Sequence, residues 1–270
     1  CSICATRGSS TTGSTKCCSS ISTAPTPSRG PFRREKHFVH NATMLPSASI
    51  LVFLASLGIL DNASPAGLAA QAPAVLDRVP DRIDPKARYL IYLHGRIIED
   101  KGPRPKDERW GVYEYQKILE ALAAGGEIVI SEQRPAKTDV DRFALHVKEQ
   151  AEALLRAGLP LEHVSIVGFS KGGGIAMRAS ALLKNPRVNF VFLAACGDGD
   201  FEHSDLKVHG RILSIVEASD DLGRSCASLF DKSGATGEHE EIQIKIGDGH
   251  GAFYRPHDAW IVPLRDWIRR

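Results

Sequence analysis

The sequence of 270 residues lacks the features that mark several classes of protein. It has no block of basic residues and no alternation of basic with aromatic residues, which argues against a nucleic-acid partner. It has no G-x-x-x-x-G-K-[ST] phosphate loop, and no G-x-G-x-x-G opens its first predicted strand. Its main apolar run, residues 50–60, is shorter than the roughly 20 residues that a membrane span requires. With a net charge of +2 and an ordinary composition, the chain is typical of a globular protein.

Acidic residues are nearly absent from residues 1–43, where Glu35 is the only one and Ser, Thr, Arg and Cys predominate. We expect this stretch to be a disordered leader, or an N-terminal extension that does not belong to the native protein. A transit peptide has a similar composition and is an alternative. Four of the six cysteines lie here, at positions 1, 4, 17 and 18. No histidine accompanies them at zinc-ligand spacing, so we predict no metal site and no cofactor.

The next segment, residues 44–72, has the order of features found in a secretory signal peptide. An apolar run at 50–60 is followed by Ala69-Ala70-Gln71-Ala72, which contains an A-x-A-like cleavage site. We predict a signal peptide that is cut near Ala72, and therefore a periplasmic or secreted protein. The alternative is a tethering or packing helix, in which case the protein is cytoplasmic.

Residues 73–270 alternate between strand and helix patterns, which predicts an α/β domain with a parallel sheet. The predicted strands are 89–93, 127–130, 164–167, 189–195, 211–218 and 241–246. The predicted helices are 113–124, 139–157, 175–183 and one that starts near 259. We expect a three-layer α/β/α sandwich with a mostly parallel sheet of at least six strands and no large cap domain. Active sites of such sheets lie at the carboxyl ends of the strands.

A G-x-S-x-G pattern, Gly168-Phe169-Ser170-Lys171-Gly172, stands between a predicted buried strand and a predicted helix. It predicts a sharp turn that exposes the Ser170 hydroxyl and directs the Lys171 N–H toward a developing oxyanion. The alternative is a glycine-rich turn that only packs the helix on the sheet or holds a phosphate.

A nucleophilic serine needs a base and an acid, which follow such a turn in the order Ser, acid, His. The candidate base is His250, in a glycine-flanked loop after the last strand. The candidate acid is Asp220, with Asp221 as its alternative, directly after the strand 211–218; Asp198 and Asp200 are the fallback. The other reading of this aspartate pair is an N-cap for a helix over 222–229. The competing histidines lie in polar segments or away from strand ends: His203, His209, His239 and His257.

The second oxyanion donor is expected in the loop after the first core strand, His94-Gly95-Arg96. Gly95 permits close approach of the backbone, and the Arg96 N–H is the candidate donor. We expect His94 to have a structural role. Cys196 and Cys226 follow neighbouring strands, so they are candidates for a disulfide in an exported protein; the alternative is a pair of buried thiols.

These residues together resemble the α/β-hydrolase family over residues 89–270, and the Gly-Phe-Ser-x-Gly-Gly form resembles small lidless carboxylesterases and thioesterases. The resemblance implies an eight-stranded sheet and two-step acyl transfer from a small-molecule ester by a Ser-His-Asp triad. The HGGG of many lipases is absent, and Lys171 stands where small esterases often carry Gln. A non-catalytic binding protein and a serine peptidase of the same fold are the alternatives. The oligomeric state is left open.

Overall fold

The computed structural model describes residues 74–197, 205–234 and 237–270 of the chain. The predicted leader and signal peptide lie outside the described residues, so both assignments stay predictions. The fallback acids Asp198 and Asp200 also lie outside them. Within the described ranges, no helix is both long and apolar enough to cross a membrane.

A parallel sheet of seven strands forms the centre of the fold. Its strands, numbered with all others in chain order, are β1 (Val75–Leu76), β2 (Tyr89–Leu93), β5 (Ile128–Ile130), β6 (Val164–Phe169), β7 (Asn189–Leu193), β8 (Arg211–Glu217) and β9 (His239–Ile244). Their spatial order is β1-β5-β2-β6-β7-β8-β9, and every neighbouring pair is parallel. A separate antiparallel pair consists of β3 (Lys106–Asp107) and β4 (Gly111–Val112).

The described residues form six α-helices: α1 (Arg96–Lys101), α2 (Tyr115–Ala123), α3 (Val140–Arg156), α4 (Lys171–Leu183), α5 (Ala227–Ser233) and α6 (Asp258–Arg269). Side chains alternate across each strand, so each face of the sheet buries its own core. Leu90 and Tyr92 of β2 pack in one core with α2 and α6. Ile91 and Leu93 pack in a second core with α3 and α4. The helices therefore cover both faces, which confirms the predicted three-layer α/β class.

The six predicted strands are all present, with ends that move by a few residues. The sheet of the described residues has seven strands where the family resemblance implied eight. The alternative reading of the aspartate pair, as the N-cap of a helix over 222–229, is wrong, because α5 begins at Ala227 with Cys226 as its N-cap. Asp220 and Asp221 therefore do not cap it.

The parallel direction of the strands brings their carboxyl ends to one edge of the sheet. Four of the loops at this edge carry residues that the sequence singles out. Arg96 follows β2, Ser170 follows β6, Asp220 follows β8 and His250 follows β9. The topology thus gathers candidates that are separated by up to 154 residues along the chain.

Candidate active site

Ser170 occupies a strained turn between β6 and α4. Its backbone has φ 52° and ψ −120°, in a region that favours glycine. Two backbone hydrogen bonds hold this conformation, from Ser170 N to Leu193 O at 3.0 Å and from Gly174 N to Ser170 O at 3.0 Å. Although Ser170 is the N-cap residue of α4, its side chain makes no capping hydrogen bond. The hydroxyl is therefore not used to stabilise the helix.

The glycines of the pattern are required by close backbone contacts at this turn. A Cβ on Gly172 would lie 2.0 Å from the carbonyl oxygen of Leu93, and a Cβ on Gly168 would lie 2.3 Å from the carbonyl oxygen of Gly172. Neither approach is possible for a residue with a side chain. The serine is consequently flanked by glycine because α4 starts directly against β2 and β6.

His250 and Asp220 form a buried pair at the same edge of the sheet. The Nδ1 atom of His250 lies 2.8 Å from Oδ2 of Asp220, and both residues are buried. Because a carboxylate can only accept, Nδ1 carries the proton and Nε2 is the basic nitrogen of the neutral ring. Asp220 also accepts hydrogen bonds from the backbone of Leu222 and Gly223. Burial raises the pKa of Asp220, but the hydrogen bond and charge of His250 and the two amides lower it by more, so the net pKa lies below its usual value.

Ser170 and His250 line one cavity of about 540 Å³. The centroid of the His250 ring lies 4.8 Å from the ring centroid of Phe169, the residue before the serine. It lies 5.5 Å from the ring centroid of Trp110. In the part of the chain that the structure describes, no hydrogen bond joins the Ser170 hydroxyl to His250. Such bonds are often long in enzymes without substrate and tighten on binding.

A serine on a strained strand-to-helix turn, followed in the chain by an acid after β8 and a histidine after β9, decides the type of fold. The chain has the α/β-hydrolase fold. No family model matches the sequence, and no curated protein matches it.

Several solved structures are similar to the chain at low sequence identity. SOBER1 of Arabidopsis thaliana is 14% identical, with 68% of this chain and 98% of that chain covered and a TM-score of 0.44. XC6422 of Xanthomonas campestris, described as an α/β serine hydrolase without lid, is 15% identical, with coverage of 72% and 84% and a TM-score of 0.42. A truncated carbohydrate esterase from gut microbiota is 12% identical, with coverage of 71% and 90% and a TM-score of 0.45. The assignment of the α/β-hydrolase fold rests on the sheet order and on the turn at Ser170.

The loop after β2 of the hydrolase fold lies beside the serine. A Cβ built on Gly95 would lie 3.0 Å from the Phe169 ring and 3.9 Å from the Cβ of Ser170. Arg96 and Lys171 are the first residues of α1 and α4. The first N–H groups of a helix have no partner within it. Arg96 and Lys171, whose amides are the predicted oxyanion donors, both line the cavity that contains Ser170.

His94 holds the Gly95–Arg96 peptide in place. Its Nε2 accepts a hydrogen bond from Arg134 N at 3.0 Å, so its Nδ1 carries the proton and donates to Gly95 O at 2.9 Å. Since a peptide group is planar, a fixed Gly95 carbonyl also fixes the direction of the Arg96 N–H. Burial, and next the positive charge of Arg134, lower the pKa of His94 from 6.5 to about 3. The ring is therefore neutral and structural, as the sequence suggested.

A buried charge cluster beneath this loop escaped the sequence analysis. The carboxylate of Glu99 accepts from Arg134 Nε at 2.9 Å and from Lys171 Nζ at 2.5 Å, and the side chains of Glu99 and Arg134 are fully buried. The cluster links α1, the loop after β5 and the start of α4. It therefore connects α1 and α4, the two elements that carry the predicted oxyanion donors. The separation of 35 residues between Glu99 and Arg134 leaves no local signal of their contact.

Two cysteines lie close to the aspartate loop. Cys196 and Cys226 form a disulfide with their Cα atoms 5.4 Å apart. Arg224 N donates to Cys196 O at 2.6 Å, so the loop that carries Asp220 is joined to the end of β7. Among the described residues, no group of three or more potential metal ligands is close enough to hold an ion.

Proposed function

We propose that this protein is a serine hydrolase that cleaves a carboxylic ester or thioester by acyl transfer through Ser170, His250 and Asp220. The observation that carries the proposal is the buried His250–Asp220 hydrogen bond of 2.8 Å in the cavity that contains the strained Ser170. A serine hydroxyl is a weak nucleophile at neutral pH, and an oriented imidazole is the base that activates it. The arrangement supplies that base.

In the proposed first step, Ser170 Oγ attacks the substrate carbonyl while Nε2 of His250 removes the hydroxyl proton. The ionised Asp220 stabilises the imidazolium that results. The Arg96 and Lys171 amides donate hydrogen bonds to the tetrahedral oxyanion, and the loss of one such donor typically costs about 3–4 kcal/mol. The imidazolium then protonates the leaving group, and water, activated by the same ring, releases the acyl group from Ser170.

The cavity favours a small substrate. Apolar and aromatic walls from Ile97, Trp110, Phe169 and Tyr254 stand beside charged groups such as Lys101 and Asp107. In the ranges that the structure describes, no helical insertion covers its mouth. A short acyl chain would occupy the apolar part, whereas a long lipid chain would stay exposed to water.

The proposal is tested by labelling the purified full chain with a fluorophosphonate and by measuring hydrolysis of p-nitrophenyl acetate. Ser170→Ala is expected to abolish labelling and to reduce kcat by about a millionfold, as loss of a nucleophile does elsewhere. Ser225→Ala, at an exposed serine bonded to Glu241, is the matched control and is expected to keep both. A folded wild-type protein that is neither labelled nor active would instead indicate a binding protein.

The substrate class is narrowed by a panel of p-nitrophenyl esters of increasing chain length, together with a thioester and an aminopeptidase substrate. We expect kcat/KM to be highest for short esters or thioesters. A higher value for the peptidase substrate would replace the esterase assignment by a peptidase.

A further inference from the structure

A second buried carboxylate lies between the two loops that carry the triad acid and base. Glu217 is the last residue of β8 and is 3% exposed. Its Oε2 accepts from Ser219 N at 2.7 Å and from Ser219 Oγ at 2.6 Å. Its Oε1 accepts from Ile246 N and from Gly247 N, each at 3.0 Å. One carboxylate thus binds the start of the loop after β8 and the start of the loop after β9.

These contacts extend to the peptides next to the catalytic pair. Asp220 N donates to the Glu217 carbonyl at 3.0 Å. On the other side, the Ser219 hydroxyl that donates to Glu217 also accepts from Gly249 N at 3.1 Å. Gly249 directly precedes His250. Ser219 therefore directly precedes Asp220 in the chain and is bonded to Gly249, the residue that directly precedes His250.

Glu217 stands where the backbone pairing between β8 and β9 ends, so a side chain is needed at this position to bind the amides that follow. The ladder between β8 and β9 ends with the pairing of Glu217 and Ile244 and with the bond from Ala218 N to Ile244 O. Beyond this point no backbone–backbone hydrogen bond joins the two described loops, so backbone pairing no longer sets their separation. The carboxylate takes up the amides that the ladder leaves unpaired. Burial raises the pKa of Glu217, but its hydrogen bonds lower it more, so the group stays ionised at neutral pH.

We propose that Glu217, with Ser219, is a positioning residue of the triad, because its carboxylate sets the separation of the loops that present Asp220 and His250. This inference rests on the proposed hydrolase function. Glu217 does not line the cavity at Ser170. It therefore acts on the reaction only through the geometry of the acid and the base.

The test variant is Glu217→Gln, which keeps the size of the side chain but offers one acceptor oxygen to four donors. The amide nitrogen of the new side chain would replace one carboxylate oxygen and direct its hydrogens at the two donors that this oxygen had accepted from. The repulsion between these hydrogens would push one loop away. A displacement of about 1 Å at a catalytic group costs on the order of 100-fold in rate. We therefore expect kcat for p-nitrophenyl acetate to fall about 100-fold, with KM unchanged because the cavity walls stay in place.

The matched control is Glu127→Gln, at another buried glutamate that is bonded to Arg269. Glu127 precedes β5 and lies at the amino end of the sheet, so its variant tests the general cost of changing a buried carboxylate. It is expected to lose stability but to keep kcat. Equal losses of kcat in the two variants, or a folded Glu217→Gln with normal kcat, would overturn the proposal. If Glu217→Gln does not fold, Ser219→Ala is the deciding variant, since it removes the hydroxyl that donates to Glu217 and accepts from Gly249 N but leaves the carboxylate in place. A normal kcat in this variant would then overturn the proposal.

A second readout does not need turnover. The Nδ1–H of His250 in its bond to Asp220 should give a far-downfield proton NMR signal. This signal is expected in the wild type, in Ser170→Ala and in Glu127→Gln, and is expected to shift or broaden in Glu217→Gln. An unchanged signal in Glu217→Gln would refute the positioning role. Failure of the hydrolase proposal would instead appear as an inactive wild type that still shows the signal.

Discussion

Two adjacent aspartates at the end of β8 have opposite environments, although the sequence could not separate them. Asp220 is buried against His250 and accepts two backbone hydrogen bonds. Asp221 is exposed and pairs with Arg109 at 2.8 Å, which lowers its pKa. Asp220 N donates to Glu217 O at 3.0 Å in the turn that follows β8. Of the two neighbours, only Asp220 is buried in contact with His250.

We expect Asp220→Asn to lower kcat by about 10⁴-fold, because an amide can donate to Nδ1 and favour the wrong tautomer of His250. Asp221→Asn is the neighbouring control. It loses only a solvent-exposed ion pair with Arg109, which contributes little to stability, and should retain the activity of the wild type. Steady-state measurements of kcat for the two variants show which aspartate is the acid. The acid would have to be reassigned if Asp221→Asn were the more damaging change.

What the sequence could predict at this scale depends on how local the signal is. Ser170 and His250 stand in short glycine-flanked patterns after apolar strands, so each can be recognised from its neighbours in the chain. Glu99 and Arg134 form their buried pair across 35 residues, and each appears in the sequence as an ordinary charged loop residue. Glu217 likewise has partners about 30 residues away. Such contacts depend on the sheet order and are absent from any local pattern.

At the scale of elements, α4 packs unusually close to the sheet. A Cβ on Gly173 would lie 2.2 Å from the Cβ of Ala195, which follows β7. The next residue, Gly174, faces open space, with the flexible Nη1 of Arg178 as its nearest neighbour at 3.7 Å. Two consecutive glycines of one helix are therefore present for different reasons. Only Gly173 is demanded by packing.

The different surroundings of Gly173 and Gly174 predict opposite effects of alanine substitution on stability. Gly173→Ala should destabilise the protein by about 1–3 kcal/mol, the usual cost of overpacking a close contact. Gly174→Ala should stabilise it by about 0.5–1 kcal/mol, because alanine loses less conformational entropy than glycine in a helix. Urea denaturation at neutral pH measures both. Equal effects of the two substitutions would show that α4 does not pack as closely as described.

Element length decides which segments could be found from the sequence. The five-residue strand β2 and the 17-residue helix α3 carry clear hydrophobic periods and were predicted within a residue of their observed ends. The two-residue strand β1 has no period to detect, and the six-residue helix α1 was hidden in a charged loop. The misplaced helix over 222–229 has another cause. Asp220 resembles an N-cap, but its carboxylate is occupied by His250 and the following amides.

For the whole molecule, buried ionisable groups are concentrated at the carboxyl edge of the sheet. They include His94, Glu99, Arg134, Glu217, Asp220 and His250. Glu99 and Glu217 each accept hydrogen bonds from two different elements at this edge. Burial, and next the positive charge of Arg134, lower the pKa of His94 to about 3, so its ring is neutral at physiological pH. The same groups that order the site therefore make the stability of the fold sensitive to acid.

The direction of this effect follows from proton linkage. Between pH 6.5 and about 3, His94 binds a proton in the unfolded chain but not in the folded protein. The free energy of unfolding is therefore highest above pH 6.5 and falls as the pH drops through this window. The slope from one such group is at most about 1.4 kcal/mol per pH unit. Asp220 and Glu217, whose pKa values are lowered on folding, add to the loss only below the pKa values of the unfolded carboxyls.

We therefore expect the free energy of unfolding, from urea titrations at fixed pH, to begin to fall near pH 6.5 and not only near pH 4.5. His94→Asn removes the titrating ring but leaves an amide that can donate to the Gly95 carbonyl. This variant should be less stable at pH 7, yet its stability should decline less steeply between pH 6.5 and pH 4.5. His209, whose pKa is also lowered by burial, remains in this variant. It accounts for the part of the decline in stability with falling pH that persists. A variant as steep as the wild type would show that the decline arises elsewhere, and the buried neutral state of His94 would have to be abandoned.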